Sequence, residues 1–197
     1  GNVEMSMSRH YRAAVIGVSA GGLAALDKIL PALDRSFSLP VLVVQHVSPT
    51  SENYLPIHFS QRCLLEVKEA EDKEQIEGGV IYFAPPNYHL LVEYNQAIAL
   101  STEERVNFSR PSIDVLFETA ADAYLDELVG VILTGANSDG AAGMARIKQF
   151  GGLAVVQSPE TAEAEAMPRA AIEAADVDNI LPLNEIGCFL NSLCTTD

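Results

Sequence analysis

A short apolar run, Ala13-Ala-Val-Ile16, breaks at Gly17 and resumes at Leu23, Leu26, Ile29 and Leu30 with helical spacing. That pattern predicts a buried strand, a tight turn carrying Ser19, and a helix. Gly17, Ser19 and Gly21 fit G-x-S-x-G, the turn that exposes a nucleophilic serine between a strand and a helix. Glycine suits such a turn because it adopts unusual backbone angles cheaply. The helix start behind Ser19 would offer free N–H groups and a positive dipole end to a developing oxyanion. Gly17, Ser19 and Gly22 also fit a dinucleotide fingerprint with serine in place of its middle glycine. Nucleophile, phosphate-binding turn and plain structural turn therefore all stand at this point.

At 197 residues the chain predicts one folded domain, residues 13–194, preceded by a flexible arm over 1–12. The net charge of −15 argues against a nucleic-acid phosphate binder and against a polybasic membrane contact. No apolar run reaches the length of a transmembrane helix, and residues 1–10 carry no apolar leader segment. Cys63, Cys188 and Cys194 are odd in number and form no C-x-x-C, which points to a reducing cytoplasm. His10, His46, His58 and His89 lack the close spacing of a metal pair, so neither a metal nor a cofactor is expected.

Val41-Leu-Val-Val44 is a continuous apolar stretch, typical of a strand buried on both faces. His46 follows it, at the carboxyl end where ligands bind in open parallel sheets. Residues 51–62 read as weakly helical, with His58 structural, and 63–69 as a short strand. Val80–Ala84 is a strand, and 89–94 with 97–100 form an antiparallel hairpin. His89 opens that hairpin in a structural or rim role. Ser112 is placed to cap a helix burying Val115, Leu116, Ala120 and Ala123. Val129–Leu133 is another buried strand, running into Thr134-Gly-Ala-Asn-Ser-Asp-Gly140 and a helix with Met144 and Ile147. This second glycine-rich turn lacks the lysine of a P-loop but places Asp139 at a strand end, as a helix cap or as a functional carboxylate. Gly152–Gln157, a helix from Met167, a short strand at 180–183 and a closing helix at 186–193 complete the chain.

Ser19, His46 and Asp139 thus stand at the carboxyl ends of three expected parallel strands. Together they are the inventory of acyl transfer: nucleophile, general base, and the carboxylate that fixes the histidine tautomer. Their order departs from that of α/β-hydrolases, where the histidine comes last. A Rossmann reading wants an acidic residue after the second strand, and Gln45-His46 stand there.

The sequence resembles the catalytic domain of the chemotaxis protein-glutamate methylesterase (CheB) family. The resemblance rests on Ile16-Gly-Val-Ser-Ala-Gly-Gly22, Val44-Gln-His-Val47, Ala84-Pro-Pro-Asn-Tyr-His89, Arg110-Pro-Ser-Ile-Asp-Val-Leu-Phe117, Val131-Ile-Leu-Thr-Gly135 through Asp139-Gly140, and Met167-Pro-Arg-Ala-Ala171. It implies a doubly wound, mostly parallel α/β sheet with an antiparallel hairpin, in a single three-layer domain. It implies a triad of Ser19, His46 and Asp139. The activity it implies is hydrolysis of glutamate γ-methyl esters on chemoreceptor cytoplasmic helices, extending to deamidation of receptor glutamines, together with a fused or separate receiver domain. Ala20 and Ala136 are the expected oxyanion donors, while Arg110 and Met167, with His89 and Arg169, are the expected substrate rim. The chain departs from the family pattern at Ala20, usually polar, and at Ala136-Asn137, usually Met-Gly. It departs again at Ala166, usually Gly. Two other readings remain: a binding module of the same fold that has lost catalysis, and a nucleotide-binding α/β protein.

Overall fold

The computed structural model describes residues 10–46 and 54–194. Seven strands form one parallel sheet: β1 (Ala13–Val18), β2 (Val41–Gln45), β3 (Glu66–Glu69), β4 (Val80–Phe83), β7 (Leu128–Ile132), β8 (Leu153–Gln157) and β9 (Asn179–Leu181). Their order across the sheet is β3-β4-β2-β1-β7-β8-β9, with parallel register throughout. Between them, β5 (His89–Val92) and β6 (Ile98–Ser101) pair as a separate antiparallel ribbon. The expected architecture is therefore present.

The central strands are apolar over nearly their whole length, with glutamine only at the carboxyl ends of β2 and β8, because helices cover both faces. Alternate residues of each strand feed two cores. Val15, Leu42, Val44 and Tyr82 face α3 (Ile113–Tyr124), α4 (Ala141–Gln149), α5 (Ala166–Ala174) and the ribbon. Ile16, Val18, Val43 and Phe83 face α1 (Gly22–Ile29), α2 (Leu55–Ser60) and α6 (Leu183–Ser192). Phe59 of α2 stacks on Phe83 at 5.5 Å, which anchors α2 to β4.

Chain direction through the sheet reverses between β1 and β7: β2 to β4 build outward on one side, β7 to β9 on the other. This is the topological switch point, where a crevice opens at the carboxyl ends of the strands. Gly17 lies there because α3 comes in close. A Cβ at Gly17 would collide with the Ile113 side chain.

Several elements differ from expectation. Tyr11 is 7% exposed and packs in the core, so residue 11 is not part of an arm; residues 1–9, where the rest of the arm was expected, lie outside the described residues. The first seven residues of the chain after His46, through Glu52 and Asn53, also lie outside them, and the helix expected over 51–62 is seen as α2 alone. The α3 helix buries Ile113, Leu116, Phe117, Ala120, Ala121 and Tyr124, while Val115 and Ala123 are only partly covered. Its apolar face is rotated because it must fill the space under both the sheet and α4.

Candidate functional site

Ser19 leaves β1 at the switch point. Gly21 takes the left-handed conformation at φ 80°, and Gly22 N donates to Ser19 O at 2.8 Å, which closes the turn into α1. Ser19 N donates to Thr134 O at 2.9 Å, and the Thr134 hydroxyl donates to Ala20 O at 2.8 Å. The serine turn is therefore fastened to the loop after β7. On the other side, Gln45 Nε2 donates to the carbonyls of both Ser19 (3.0 Å) and His46 (3.2 Å). Val18 and Gln45 are register partners, so Ser19 and His46 stand one step beyond a paired position on adjacent strands.

His46 is pinned from two sides. Its Nε2 lies 2.7 Å from Asp139 Oδ2, and its Nδ1 lies 3.3 Å from Asn137 Nδ2. Asp139 is fully buried. A carboxylate can only accept, so Nε2 carries the proton and Nδ1 presents its lone pair. No hydrogen bond joins the Ser19 hydroxyl to the imidazole among the described residues. Nδ1, which faces Asn137 at 3.3 Å, is the ring nitrogen whose lone pair Asp139 does not engage.

Asp139 accepts from five donors. Oδ2 takes His46 Nε2 and Ile113 N (2.7 Å); Oδ1 takes Ser112 Oγ (3.0 Å), Asp114 N (3.0 Å) and Asn107 Nδ2 (2.9 Å). Burial alone would raise its carboxyl. The bonds from His46, Ile113, Asp114 and Asn107 outweigh that and hold it below the ordinary carboxylate range. Ser112 does not cap α3 with its own side chain, as the sequence suggested. The freed N–H groups at the helix start go to Asp139, and the Ser112 hydroxyl follows them.

The glycine-rich turn before α4 is an anion site already filled from within. Gly140 N (3.0 Å) and Gly143 N (2.7 Å) both donate to Asp114 Oδ1. Burial raises the Asp114 carboxyl, and the neighbouring Asp139 charge adds to this. The N–H donors of Gly143, Asn107 and Gly140 offset it only in part.

Of the expected oxyanion donors, the N–H groups of Ala20 and Ala136 have no partner among the described residues, and both residues are exposed. The expected rim fares differently. Met167 is 1% exposed and packs under Gly135, whose carbonyl accepts from Met167 N at 2.9 Å; it supports the turn and cannot touch a substrate surface. His89 is 2% exposed, with Nε2 at 2.8 Å from Glu104 O and Nδ1 accepting from Ser112 N at 3.2 Å. It ties the loop over 102–109 to the start of α3, so it is structural and not rim. Arg110 spends its guanidinium on Asn87 Oδ1 and on the carbonyls of Thr102 and Glu103, stapling two loops together. Only Arg169 is well exposed, in an ion pair with Glu165 at 2.7 Å. His58 bonds Asp27 at 2.9 Å, away from the site, as its structural reading implied.

Sequence reasoning did not single out Asn107, Asp114, Asn137 or Gln45. Asn107 carried no local signal, and Asp114 stood inside the Arg110–Phe117 motif with no role attached to it. Asn137 and Gln45 stood beside expected site residues, in a glycine-rich turn and at a strand end.

The fold and site together define a doubly wound α/β protein with a serine turn and a histidine–aspartate pair at its switch point. The chain belongs to the CheB methylesterase family: the family model matches residues 14–190. A relative from Leptospira interrogans is 56% identical over 177 residues, covering 90% of this chain and 92% of that protein. The protein-glutamate methylesterase/protein-glutamine glutaminase of Archaeoglobus fulgidus is 40% identical over 175 residues. That match covers 87% of this chain, which spans about half the length of the archaeal protein (50%). The crystal structure of the Thermotoga maritima CheB methylesterase catalytic domain superimposes with a TM-score of 0.88 at 34% identity, over 93% of this chain and 98% of that one.

Proposed function

We propose that this chain is a serine esterase that hydrolyses glutamate γ-methyl esters on the cytoplasmic helices of chemoreceptors, with Ser19, His46 and Asp139 as its triad. The observation that carries this reading is the 2.7 Å bond between His46 Nε2 and buried Asp139, which leaves the lone pair of Nδ1 as the base. Ser19 Oγ attacks the ester carbonyl carbon and gives its proton to Nδ1. The carbonyl oxygen takes the negative charge, facing the N–H groups of Ala20 and Ala136. The intermediate collapses, the carbon–methoxy bond breaks, and Nδ1 returns the proton to the methoxy oxygen, so methanol leaves. Water then attacks the acyl-enzyme with the same base, which frees the glutamate carboxylate and Ser19. Asp139 stays ionised throughout and steadies the imidazolium. The same steps on a glutamine side chain would release ammonia, in keeping with the double name of the archaeal relative.

The negative charge of −15 and the filled anion site at Gly140 and Gly143 both weigh against nucleotide binding. A reaction inside the cytoplasm fits a chain in which no described helix is long and apolar enough to cross a membrane. The test is methanol release from a methylated receptor, with fluorophosphonate labelling of the same sample. Ser19→Ala should abolish labelling and reduce methanol release by several orders of magnitude while the thermal midpoint holds. Wild-type turnover in that variant would refute the triad.

A further inference from the structure

Asn137 sits where the reaction's proton must pass. Its Oδ1 accepts from Asp139 N at 3.0 Å, which fixes the carboxamide and leaves the N–H side facing His46. Nδ2 then lies 3.3 Å from Nδ1, the ring nitrogen that does not bond Asp139. Asn137 is exposed, so this donor faces the open side of the site.

We infer that Asn137 is a specificity residue that favours an ester over a carboxamide at the scissile bond. The inference rests on the esterase reading above. In either reaction Nδ1–H must hand its proton to the leaving atom, so that atom lies within hydrogen-bond reach of Nδ1 and therefore beside Asn137 Nδ2. A methoxy oxygen has two lone pairs. One takes the proton from Nδ1, the other accepts from Asn137, and the carbon–oxygen bond breaks to release methanol. The nitrogen of a tetrahedral amide adduct has one lone pair. Once it takes the proton from Nδ1 it presents only N–H groups, and these face the Asn137 donor before the carbon–nitrogen bond breaks to release ammonia. A donor set against a donor is unfavourable, and the ester route is spared it.

The experiment compares one receptor segment carrying either glutamate γ-methyl ester or glutamine at the same position. Methanol and ammonia release are measured for the wild type, Asn137→Gly and Asn137→Ser. The serine variant keeps a short oxygen near Asp139 N but cannot reach His46. In both variants the ester-to-amide ratio of kcat/KM should fall roughly tenfold, a moderate factor because the site is open to water. Equal losses on both substrates, an unchanged ratio, or no detectable ammonia from any of the three proteins would overturn the inference while leaving the esterase reading in place. A wild type that neither releases methanol nor labels at Ser19 would overturn both.

Discussion

Asp114 and Asp139 cap each other's helices. Asp139, which precedes α4, accepts from the N–H groups of Ile113 and Asp114 at the start of α3. Asp114, in the first turn of α3, accepts from the N–H groups of Gly140 and Gly143 at the start of α4. Two carboxylates are thereby held close together, and the Asn107 amide bridges them at 2.7 and 2.9 Å. Each carboxylate meets the positive end of the other's helix, which offsets their repulsion. The carboxylate that orients His46 is thus built into the junction of two helices.

The two carboxyls respond to pH in opposite senses. The folded value of Asp139 is depressed, so its contribution to stability is complete above the ordinary carboxyl range and is lost as pH falls through that folded value. The folded value of Asp114 is raised from 3.8. The native state therefore holds that proton more tightly than the unfolded chain does, and stability is lost as pH rises from there through the folded value. Asp114→Asn removes this second dependence. Its stability relative to wild type should improve as pH rises across that window, measured by urea unfolding at a series of pH values. A constant difference would mean Asp114 titrates as it does in the unfolded chain.

Asp139→Asn should damage both fold and reaction. Five donors converge on two oxygens, and an amide offers only one oxygen. Donors left facing an NH2 group should cost roughly 2–4 kcal/mol in urea unfolding. Methanol release should drop on the order of a thousandfold or more, because the amide can hold His46 with the proton on Nδ1. Activity within tenfold of wild type would remove Asp139 from the triad.

Asn107 has a left-handed backbone at φ 53°, which asparagine tolerates and alanine resists. Asn107→Ala loses the bridge between the carboxylates and strains the turn; Asn107→Gly loses only the bridge. Both should lower methanol release by roughly tenfold, and the alanine variant should be less stable than the glycine variant by about 1 kcal/mol. A glycine variant with full activity would show that the bridge does not hold Asp139 in place.

The strands and the strand ends were legible in the sequence because buried parallel strands are continuous apolar runs. Val41–Val44 and Val129–Ile132 could face nothing but helices on both sides. Ser19 and His46 directly follow β1 and β2, where ligands bind in a parallel sheet; Asp139 lies seven residues beyond β7 and was placed by the glycine-rich turn that leads into α4. The reciprocal caps were not legible. Asp114 reads as an ordinary first-turn acid of α3, and its partners lie 26 and 29 residues away on a helix whose docking no local pattern encodes. Asn137 meets His46 across 91 residues for the same reason. His89 and Met167 stood beside expected loops, yet the packing of α3 and α5 covers them.

Arg110 and Arg169 both fall in motifs that suggested receptor recognition, but their surroundings assign them different work. Arg110 donates to Asn87 through Nε at 3.1 Å and through an Nη at 2.8 Å, and its other Nη reaches Thr102 O and Glu103 O at 2.9 and 3.1 Å. A planar fork makes these bonds, and a lysine ammonium cannot reproduce them. Arg110→Glu and Arg110→Lys should therefore lower hydrolysis of a small neutral ester and of methylated receptor by the same factor. The Arg169 guanidinium hydrogen-bonds Glu165, one turn earlier on an exposed face and away from the triad residues, so Arg169→Glu should leave the small ester unaffected. It adds negative charge to a chain already at −15, and the proposed product of demethylation is itself a glutamate carboxylate on the receptor helix. Receptor demethylation should slow a few-fold at low salt, and raising ionic strength should restore it as like-charge repulsion is screened. Recovery of receptor activity in Arg110→Lys alone would return Arg110 to the recognition surface, and a salt-independent loss in Arg169→Glu would take Arg169 off it.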